Sequence, residues 1–144
     1  MVTLLFTDIE GSTRLWADFP DEMPGALEHH DALLDESVAR HGGRVVKRTG
    51  DGVDAAFFDT SAALRAAVDA QLALVGTAWP TSPPVRARMA IHLGPVLERD
   101  GDYFGMPPNM AARLRDAGHG GQTLLSDATV REIEDQLPDD VRLA

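Results

Sequence analysis

An apolar run that ends abruptly in acidic residues is the feature that most constrains this chain. Residues 2–7, VTLLFT, are bounded on one side by the amino terminus and on the other by Asp8. A short apolar run with such a boundary predicts a buried, central β-strand. Asp8 and Glu10 then place carboxylates where this strand must end against other structure, so the fold has to provide an environment for acids at the tip of a core strand.

The residues after these acids are suited to an anion. Gly11, Ser12 and Thr13 are typical of the start of a helix, and we expect Ser12 or Thr13 to cap it. The backbone amides at the start of a helix bind phosphate groups well. We therefore expect the amides of residues 9–13, with Gly11, Ser12 and Thr13, to contact phosphates.

Composition limits the possible function classes. The 144 residues are enough for one domain with a substantial core, and the hydrophobic share of 44% is ordinary for a soluble globular protein. The absence of cysteine excludes disulfides, thiol catalysis and thiolate metal sites, and it favours a cytoplasmic protein. We find no apolar run of the ~20 residues that a membrane span needs and no basic leader of a signal peptide.

The charge balance argues against nucleic acid as a partner. The chain has 13 basic and 23 acidic residues, a net charge of −10, and no basic stripe. An acidic protein binds a polyphosphate only with the help of divalent metal and a few well-placed basic side chains. The composition is thus compatible with a metal-dependent nucleotide enzyme and argues against a nucleic-acid-binding protein.

The rest of the pattern predicts one α+β domain over residues 1–144. The turn residues and caps include Gly50 to Gly52 as a hairpin turn, and Thr60 or Ser61 and Ser126 or Asp127 as helix caps. The element order suggests a ferredoxin-like βαββαβ core with an added C-terminal strand and helix. Helices are expected over 27–43, 60–75, 107–121 and 127–137, strands over 44–49, 53–58, 85–93 and 122–126, and a hairpin over 96–104 around Asp100-Gly101.

A second acid supports a metal site. Asp51 lies in the hairpin turn TGDG, and in a ferredoxin-like sheet that hairpin can lie beside the central strand, which brings Asp51 near Asp8. Two carboxylates at one rim suit one or two hard divalent cations, and two such ions can hold both oxygens of a phosphoryl displacement. Each acid alone also has an ordinary explanation, a turn residue for Asp51 and a helix cap for Asp8.

Four ordered segments resemble the catalytic domain of class III nucleotidyl cyclases. They are LLFTDIEGSTRLW, VVKRTGDGV, RMAIHLGPV and GDYFGMPPNMAARL, and the resemblance runs from residue 2 to about residue 130. It implies that Asp8 and Asp51 bind two Mg²⁺ or Mn²⁺ ions, with the carbonyl of Ile9 as a further ligand. It also implies a homodimer whose two sites are shared between subunits.

The resemblance assigns the substrate-binding roles as well. Lys47 and Asp102 match the purine-reading lysine and aspartate, and Asn109 and Arg113 match the residues that orient the ribose and stabilise the transition state. Arg88 matches an arginine that contacts the triphosphate. Adenine offers an amino donor at C6 and an acceptor at N1, which suit an aspartate and a lysine, whereas guanine reverses both groups. The pair therefore favours ATP over GTP.

Three departures from the family pattern stand out. Pro107 and Pro108 directly precede Asn109, although proline is tolerated in the first turn of a helix. Asp54 places an acid on a strand that is otherwise apolar. The chain ends at DDVRLA, where relatives usually continue, so we expect a domain trimmed at its C-terminus.

The sequence thus predicts an adenylate cyclase that forms 3′,5′-cyclic AMP and pyrophosphate from ATP. Asn109 and Arg113 lie four residues apart and are expected on one helix face, where the arginine can meet the charge that develops on the α-phosphate. Two alternatives remain open. One is a silent nucleotide-binding or dimerisation module of a regulatory protein, which the double proline and the short C-terminus favour. The other is a guanylate cyclase.

Overall fold

The chain forms a mixed α+β structure around one large sheet. The computed structural model describes residues 1–144. Its elements are β1 (Val2–Ile9), α1 (Ser12–Asp18), α2 (Met23–Arg40), β2 (Arg44–Thr49), β3 (Gly52–Phe57), α3 (Thr60–Val75), β4 (Ala87–Gly94), β5 (Leu97–Arg99), β6 (Asp102–Phe104), α4 (Met106–Ala117), β7 (Thr123–Leu125) and α5 (Asp127–Ile133). No helix is long and apolar enough to cross a bilayer.

The sheet confirms the expected ferredoxin-like core. Its strand order is β2-β3-β1-β4-β7, and β1 is antiparallel to both β3 and β4 while β2 is antiparallel to β3. The first four strands with the intervening helices are the βαββαβ arrangement. The added strand β7 runs parallel to β4, and β5 and β6 form a separate two-stranded hairpin. The short apolar run at the amino terminus is therefore the central strand.

The two faces of the sheet are covered by different helices. Because successive strand residues point to opposite faces, Leu5 packs with α2, α3 and α5 in the larger core. Leu4 packs on the other face with Tyr103 of β6 and Ala111 of α4. Even-numbered residues of β1, including Asp8, therefore belong to the face that α4 and the β5–β6 hairpin cover.

Several boundaries and caps differ from those expected. α2 begins at Met23 rather than near residue 27, and α4 and α5 end earlier than expected, at Ala117 and Ile133. The N-cap of α1 is Gly11 with a φ of 63°, and no side chain caps this helix. Asp59 caps α3 by accepting from the Ser61 amide, so the caps expected at Ser12 or Thr13 and at Thr60 or Ser61 were wrong.

Other local expectations are confirmed. The hydroxyl of Ser126 accepts from the amide of Thr129 and caps α5. The turn at Asp100-Gly101 connects β5 and β6, and both residues have a positive φ. Pro107 and Pro108 lie in the first turn of α4, where the backbone amides have no partner within the helix, so the helix tolerates them.

Candidate active site at the edge of the central strand

The acid at the tip of the central strand is paired with arginines. Asp8 lies opposite Arg88 in the β1–β4 register. Nε of Arg88 donates to Oδ1 of Asp8 at 2.8 Å and Nη2 donates to Oδ2, while Nε of Arg115 lies 3.6 Å from Oδ2. The hydrogen bonds to Asp8 raise the pKa of Arg88. The Asp8 side chain, 13% exposed, is thus held by one bidentate and one peripheral cation.

The hairpin turn brings Asp51 to the same edge. The neighbouring Gly52 packs so closely on β1 that a Cβ there would lie 2.6 Å from the carbonyl oxygen of Thr7. Asp51 is close enough that its charge contributes to the raised pKa of Arg88. The start of β3 therefore lies beside the end of β1, and the joint binding of a metal by Asp8 and Asp51 stays a prediction.

The donor set at this edge is incomplete for a metal without a nucleotide. No group of three His, Cys, Asp or Glu side chains is arranged to hold an ion. Two carboxylates are hard oxygen donors that fit Mg²⁺ or Mn²⁺, and Mg²⁺ sites of this kind commonly combine one or two carboxylates with substrate phosphates. Asp8 and Asp51 fit that pattern, with the carbonyl of Ile9 as the further ligand expected from the sequence.

The glycine turn after β1 leaves the start of α1 without a side-chain cap. Gly11 adopts the left-handed conformation that glycine favours. Ser12 and Thr13 form the first helical turn, and neither caps it. The contact of this turn with phosphates stays a prediction.

Lys47, Asp102 and Asn109 line one cavity. It has a volume of about 270 Å³ and lies between the sheet, the β5–β6 hairpin and α4. These three residues come from β2, β6 and α4, which are far apart in the sequence. The remaining wall combines apolar side chains with one acid, and its members are Leu4, Phe6, Val46, Asp54, Tyr103, Phe104, Pro108 and Ala112.

A β-bulge aims Lys47 at this cavity. The β2–β3 register pairs Val45 with Ala55 and Lys47 with Asp54, so one extra residue, Val46, is accommodated between the two pairs. Directly opposed residues of an antiparallel pair share a face of the sheet. Lys47 therefore shares the face of Asp54, whereas an unbroken register would pair it with Val53 of the larger core.

Asp102 is fixed by the hairpin that carries it. Its Oδ1 accepts from the amide of Tyr103 at 2.8 Å, and the Tyr103 side chain is buried. Arg44 of β2 donates to the Tyr103 hydroxyl and to the carbonyl of Gly101, which ties the hairpin to the edge of the sheet. The carboxylate of Asp102 is thus held by one backbone amide, and Arg44 fixes the residues on either side of it.

Arg113 lies one turn after Asn109 but contacts a different cavity. This second cavity, of about 360 Å³, is lined by Arg113, His92 and Ser126 together with Met110, Leu114 and Ala117. Nδ1 of His92 lies 2.7 Å from the Ser126 hydroxyl, and burial lowers the pKa of His92. Within one chain, the structure therefore separates Arg113 from Lys47, Asp102 and Asn109.

Two residues near these cavities have no role in the sequence-based assignment. Asp54 is 7% exposed, and its Oδ1 accepts no hydrogen bond. Burial raises the pKa of Asp54 to about 6, and the charges of Arg115 and Lys47 oppose the shift. Arg115 connects the two acidic positions, since its Nη1 lies 3.9 Å from Asp54 and its Nε contacts Asp8 and Asp116. The sequence pointed to Asp54 because it is an acid in an otherwise apolar strand, whereas no local sequence feature distinguished Arg115 from other helix arginines.

Comparisons with known proteins agree with this architecture. The sequence profile of the family described as "Adenylate and Guanylate cyclase catalytic domain" matches residues 1–140. The chain belongs to this family. The resemblance stated from the four segments is thereby confirmed, and the chain is a class III nucleotide cyclase domain.

Two of the relatives of this cyclase domain come from a bacterium and a trypanosome. An uncharacterised protein of Mycobacterium tuberculosis is 42% identical over 144 residues, which cover 99% of this chain and 48% of the relative. A receptor-type adenylate cyclase of Trypanosoma equiperdum is 33% identical over 174 residues, which cover 92% of this chain and 37% of the relative. The cyclase domain thus spans about half, or less, of the length of these relatives.

Solved structures confirm the fold. A Trypanosoma brucei adenylate cyclase, described in its monomeric state, superposes with a TM-score of 0.86 at 30% identity and covers 94% of this chain and 76% of that chain. A Silicibacter pomeroyi protein described as "Adenylate/Guanylate Cyclase/Hydrolase" gives a TM-score of 0.79 at 31% identity, with 95% and 82% covered. The α+β fold expected from the sequence is that of cyclase catalytic domains.

Proposed function

We propose that this domain is an adenylate cyclase that converts ATP to 3′,5′-cyclic AMP and pyrophosphate. The observation that carries the proposal is the cavity shared by Lys47, Asp102 and Asn109. Three residues from separate elements, each assigned to nucleotide binding by the resemblance, line one cavity. Lys47 and Asn109 are exposed at this cavity and Asp102 is half-buried, so all three can reach a ligand that enters it.

The cavity suits a purine base. Its walls are largely apolar, with Leu4, Phe6 and Phe104 among the lining side chains, so the faces of a flat ring can be buried there. Lys47 supplies a donor for N1 of adenine, and Asp102 supplies an acceptor for the amino group at C6. Asn109 lies on α4 at the same cavity, where its amide can hydrogen-bond the ribose.

The reaction is an in-line displacement at the α-phosphorus. The ribose 3′-oxygen forms a new bond to this phosphorus, the bond to the oxygen that bridges to the β-phosphate breaks, and pyrophosphate leaves as the 3′-hydroxyl loses its proton. Divalent cations bound by Asp8, Asp51 and the carbonyl of Ile9 would supply charge neutralisation and acidify the attacking hydroxyl. Gly11, Ser12 and Thr13 would hold the phosphates through backbone amides.

Arg88 links cation binding to the triphosphate. It engages both oxygens of Asp8, so a cation that binds Asp8 has to displace the guanidinium. An arginine released at this edge is free to bind a phosphate oxygen, for which its planar donors are well suited. The position of Arg88 in the structure is therefore compatible with the triphosphate contact assigned to it.

The complete site requires a second copy of the chain. Neither the cavity of Lys47 and Asp102 nor the cavity of Arg113 includes Asp8 or Asp51, and the β5–β6 hairpin and the start of α4 expose large apolar side chains. Leu97 is 73% exposed and Met106 is 67% exposed, with Phe104 and Met110 also exposed. We call the edge with Asp8 and Asp51 the metal edge, and the cavity lined by Lys47, Asp102 and Asn109 the base cavity. A homodimer that covers these apolar side chains would bring the metal edge of one subunit to the base cavity of the other. We place this dimer in the cytoplasm, as the catalytic part of a longer protein.

Turnover of ATP by the purified chain tests the proposal. We expect cyclic AMP, measured by chromatography, in the presence of Mn²⁺ or Mg²⁺ and not after chelation. An Asp51→Ala variant should be inactive, since it loses half of the carboxylate pair. No cyclic AMP from a dimeric sample at high Mn²⁺ would contradict the proposal and favour a silent nucleotide-binding or dimerisation module.

A further inference from the structure

A buried acid on the wall of the base cavity has a carboxylate oxygen that receives no hydrogen bond. Asp54 lies on β3 and is 7% exposed, and its side chain lines the same cavity as Lys47 and Asp102. Its Oδ1 is buried and receives no hydrogen bond. A buried polar atom without a partner costs free energy that only a partner can recover, so this oxygen requires an explanation.

Nothing within the chain satisfies this oxygen. The nearest cation is Arg115, whose Nη1 lies 3.9 Å from Oδ1, which is too long for a hydrogen bond. Lys47 lies directly opposite Asp54 across the β2–β3 pair, yet it forms no salt bridge with it. The two basic groups therefore reduce the cost of burying the charge without bonding to the oxygen.

We propose that Asp54 is a specificity residue of the base cavity and accepts a hydrogen bond from the exocyclic amino group of the purine. This inference rests on the proposed function, because it requires that a purine nucleotide occupy the cavity. The amino group of adenine has two N–H bonds, and Asp102 accounts for one of them. Asp54 accounts for the second, which gives the cavity two acceptors beside the single donor of Lys47.

The electrostatic environment supports a hydrogen-bond acceptor at this position. Burial raises the pKa of Asp54 to about 6, which leaves the group mostly ionised at neutral pH. Asp102 adds to the shift through repulsion, so its charge lies within reach of Asp54. Two nearby carboxylates with Lys47 and Arg115 around them favour a ligand that places N–H donors between them.

Both adenine and guanine carry an exocyclic amino group, and nucleotide analogues that lack this group show which of the two bases Asp54 contacts. Adenine carries its amino group at C6 and guanine carries one at C2. The probes are 3′-deoxy forms of ATP, purine riboside triphosphate, GTP and inosine triphosphate, which lack the attacking oxygen and therefore bind without turnover. Purine riboside is adenosine without its amino group, and inosine is guanosine without its amino group. Dissociation constants are measured by calorimetry with Mn²⁺.

The decisive quantity is the ratio of two dissociation constants, that of the nucleotide without the amino group over that of the nucleotide with it. We call this ratio the penalty for losing the amino group. For the adenine pair, we expect this penalty to shrink on the order of tenfold between wild type and Asp54→Ala, since a hydrogen bond to a charged acceptor is removed. Asp54→Asn retains the shape and a neutral acceptor, so it should give an intermediate value, and it serves if the alanine variant does not fold. Asp35→Ala, at an exposed acid that pairs with Arg48, should retain the wild-type penalty.

The other outcomes are distinct. An unchanged penalty in both Asp54 variants, or an equal weakening of the binding of all four nucleotides, would show that Asp54 has a structural role and would overturn the inference. Binding of the ATP analogue would still support the proposed function. A shrinking penalty in the guanine pair alone would support the contact with an amino group and contradict ATP as the substrate. A wild-type protein that binds none of the four would overturn both proposals.

Discussion

At the scale of single residues, two largely buried acids differ in the hydrogen bonds that their carboxylates receive. Asp8 and Asp54 are both largely buried acids on the face of the sheet that α4 covers, yet their environments differ. Asp8 receives hydrogen bonds from Arg88, whereas Asp54 receives none at Oδ1. A satisfied acid and an unsatisfied acid respond differently to substitution and to pH.

The first residue-scale prediction concerns base selection. The double variant Lys47→Glu with Asp102→Ala should lower kcat/KM for ATP by about 10- to 100-fold per lost contact, because each change removes a hydrogen-bond partner proposed for adenine. It should also relax the preference towards GTP, since a glutamate accepts from N1–H of guanine. The ratio of kcat/KM for ATP and GTP is the measurement. An unchanged ratio would remove both residues from base recognition.

The second residue-scale prediction concerns stability and pH. Because burial raises the pKa of Asp54 to about 6 from 3.8, the folded chain retains a proton that the unfolded chain releases. The free energy of unfolding therefore falls as the pH rises through this range. Asp54→Asn should be more stable than wild type by up to about 3 kcal/mol at pH 8 and by about half of that at pH 5.

Urea denaturation at several pH values measures this difference. Asp35→Asn is the matched control, since this exposed acid on α2 forms only a surface ion pair with Arg48. A gain in the Asp54 variant that is equal at pH 5 and pH 8 would show that the carboxyl is not held away from its usual pKa.

At the scale of elements, the site depends on close packing between the β2–β3 hairpin and the end of β1. The hairpin turn brings Asp51 to the metal edge only because Gly52 lies against the backbone of Thr7. The bulge at Val46 then turns Lys47 towards the base cavity. The same short hairpin therefore contributes to two functional surfaces, and a small displacement of it should affect both.

Substitution of Gly52 tests this packing. A Cβ at Gly52 would lie 2.6 Å from the carbonyl oxygen of Thr7, so Gly52→Ala should force β3 away from β1 and lower the free energy of unfolding by about 1–3 kcal/mol. ATP turnover should fall with it, since Asp51 moves from Asp8. Gly25→Ala is the control, because a Cβ there contacts nothing within 4 Å. Equal stability of the two variants by thermal unfolding would contradict the packing argument.

At the scale of the whole molecule, the two functional surfaces belong to one chain but are proposed to serve different active sites. The edge proposed to bind metal carries Asp8 and Asp51, and α4 carries Asn109 and Arg113. The cavities lined by Asn109 and by Arg113 include neither Asp8 nor Asp51, so one chain alone does not gather all of the assigned residues. Twofold symmetry then produces two identical shared sites.

Complementation between two inactive variants tests this arrangement. Asp51→Ala breaks the carboxylate pair and Arg113→Ala leaves the developing charge unmet, so each homodimer should be inactive. A mixed dimer has one intact site and one doubly damaged site. Random mixing makes about half of the dimers mixed, so roughly a quarter of wild-type activity should return. Cyclic AMP formation by co-expressed variants, compared with each alone, is the measurement.

The outcome that would contradict a shared site is equally clear. If both residues served one site from one chain, every site in every dimer would carry a lesion. Mixed dimers, verified by mass spectrometry, would then show no recovered activity.

The amino-acid sequence alone determined the fold class, and it named the residues that are proposed for the site. The apolar run before Asp8, the TGDG turn and the spacing of Asn109 and Arg113 are local patterns, and local patterns reflect the chemistry of neighbouring residues. They predicted the central strand, the hairpin and the ferredoxin-like order that the structure shows. The family assignment rests on the same four segments and is confirmed by the profile match.

Only the tertiary structure decided how these residues face one another. The bulge that aims Lys47 depends on pairing with β3, and the hold of Arg88 on Asp8 joins residues 80 positions apart. Asp54 was an unexplained acid in a strand until the cavity placed it beside Lys47 and Asp102. Strand register and burial are set by partners distant in sequence, which no local pattern contains. These partners determine which of the proposed site residues are buried and which hydrogen bonds they form.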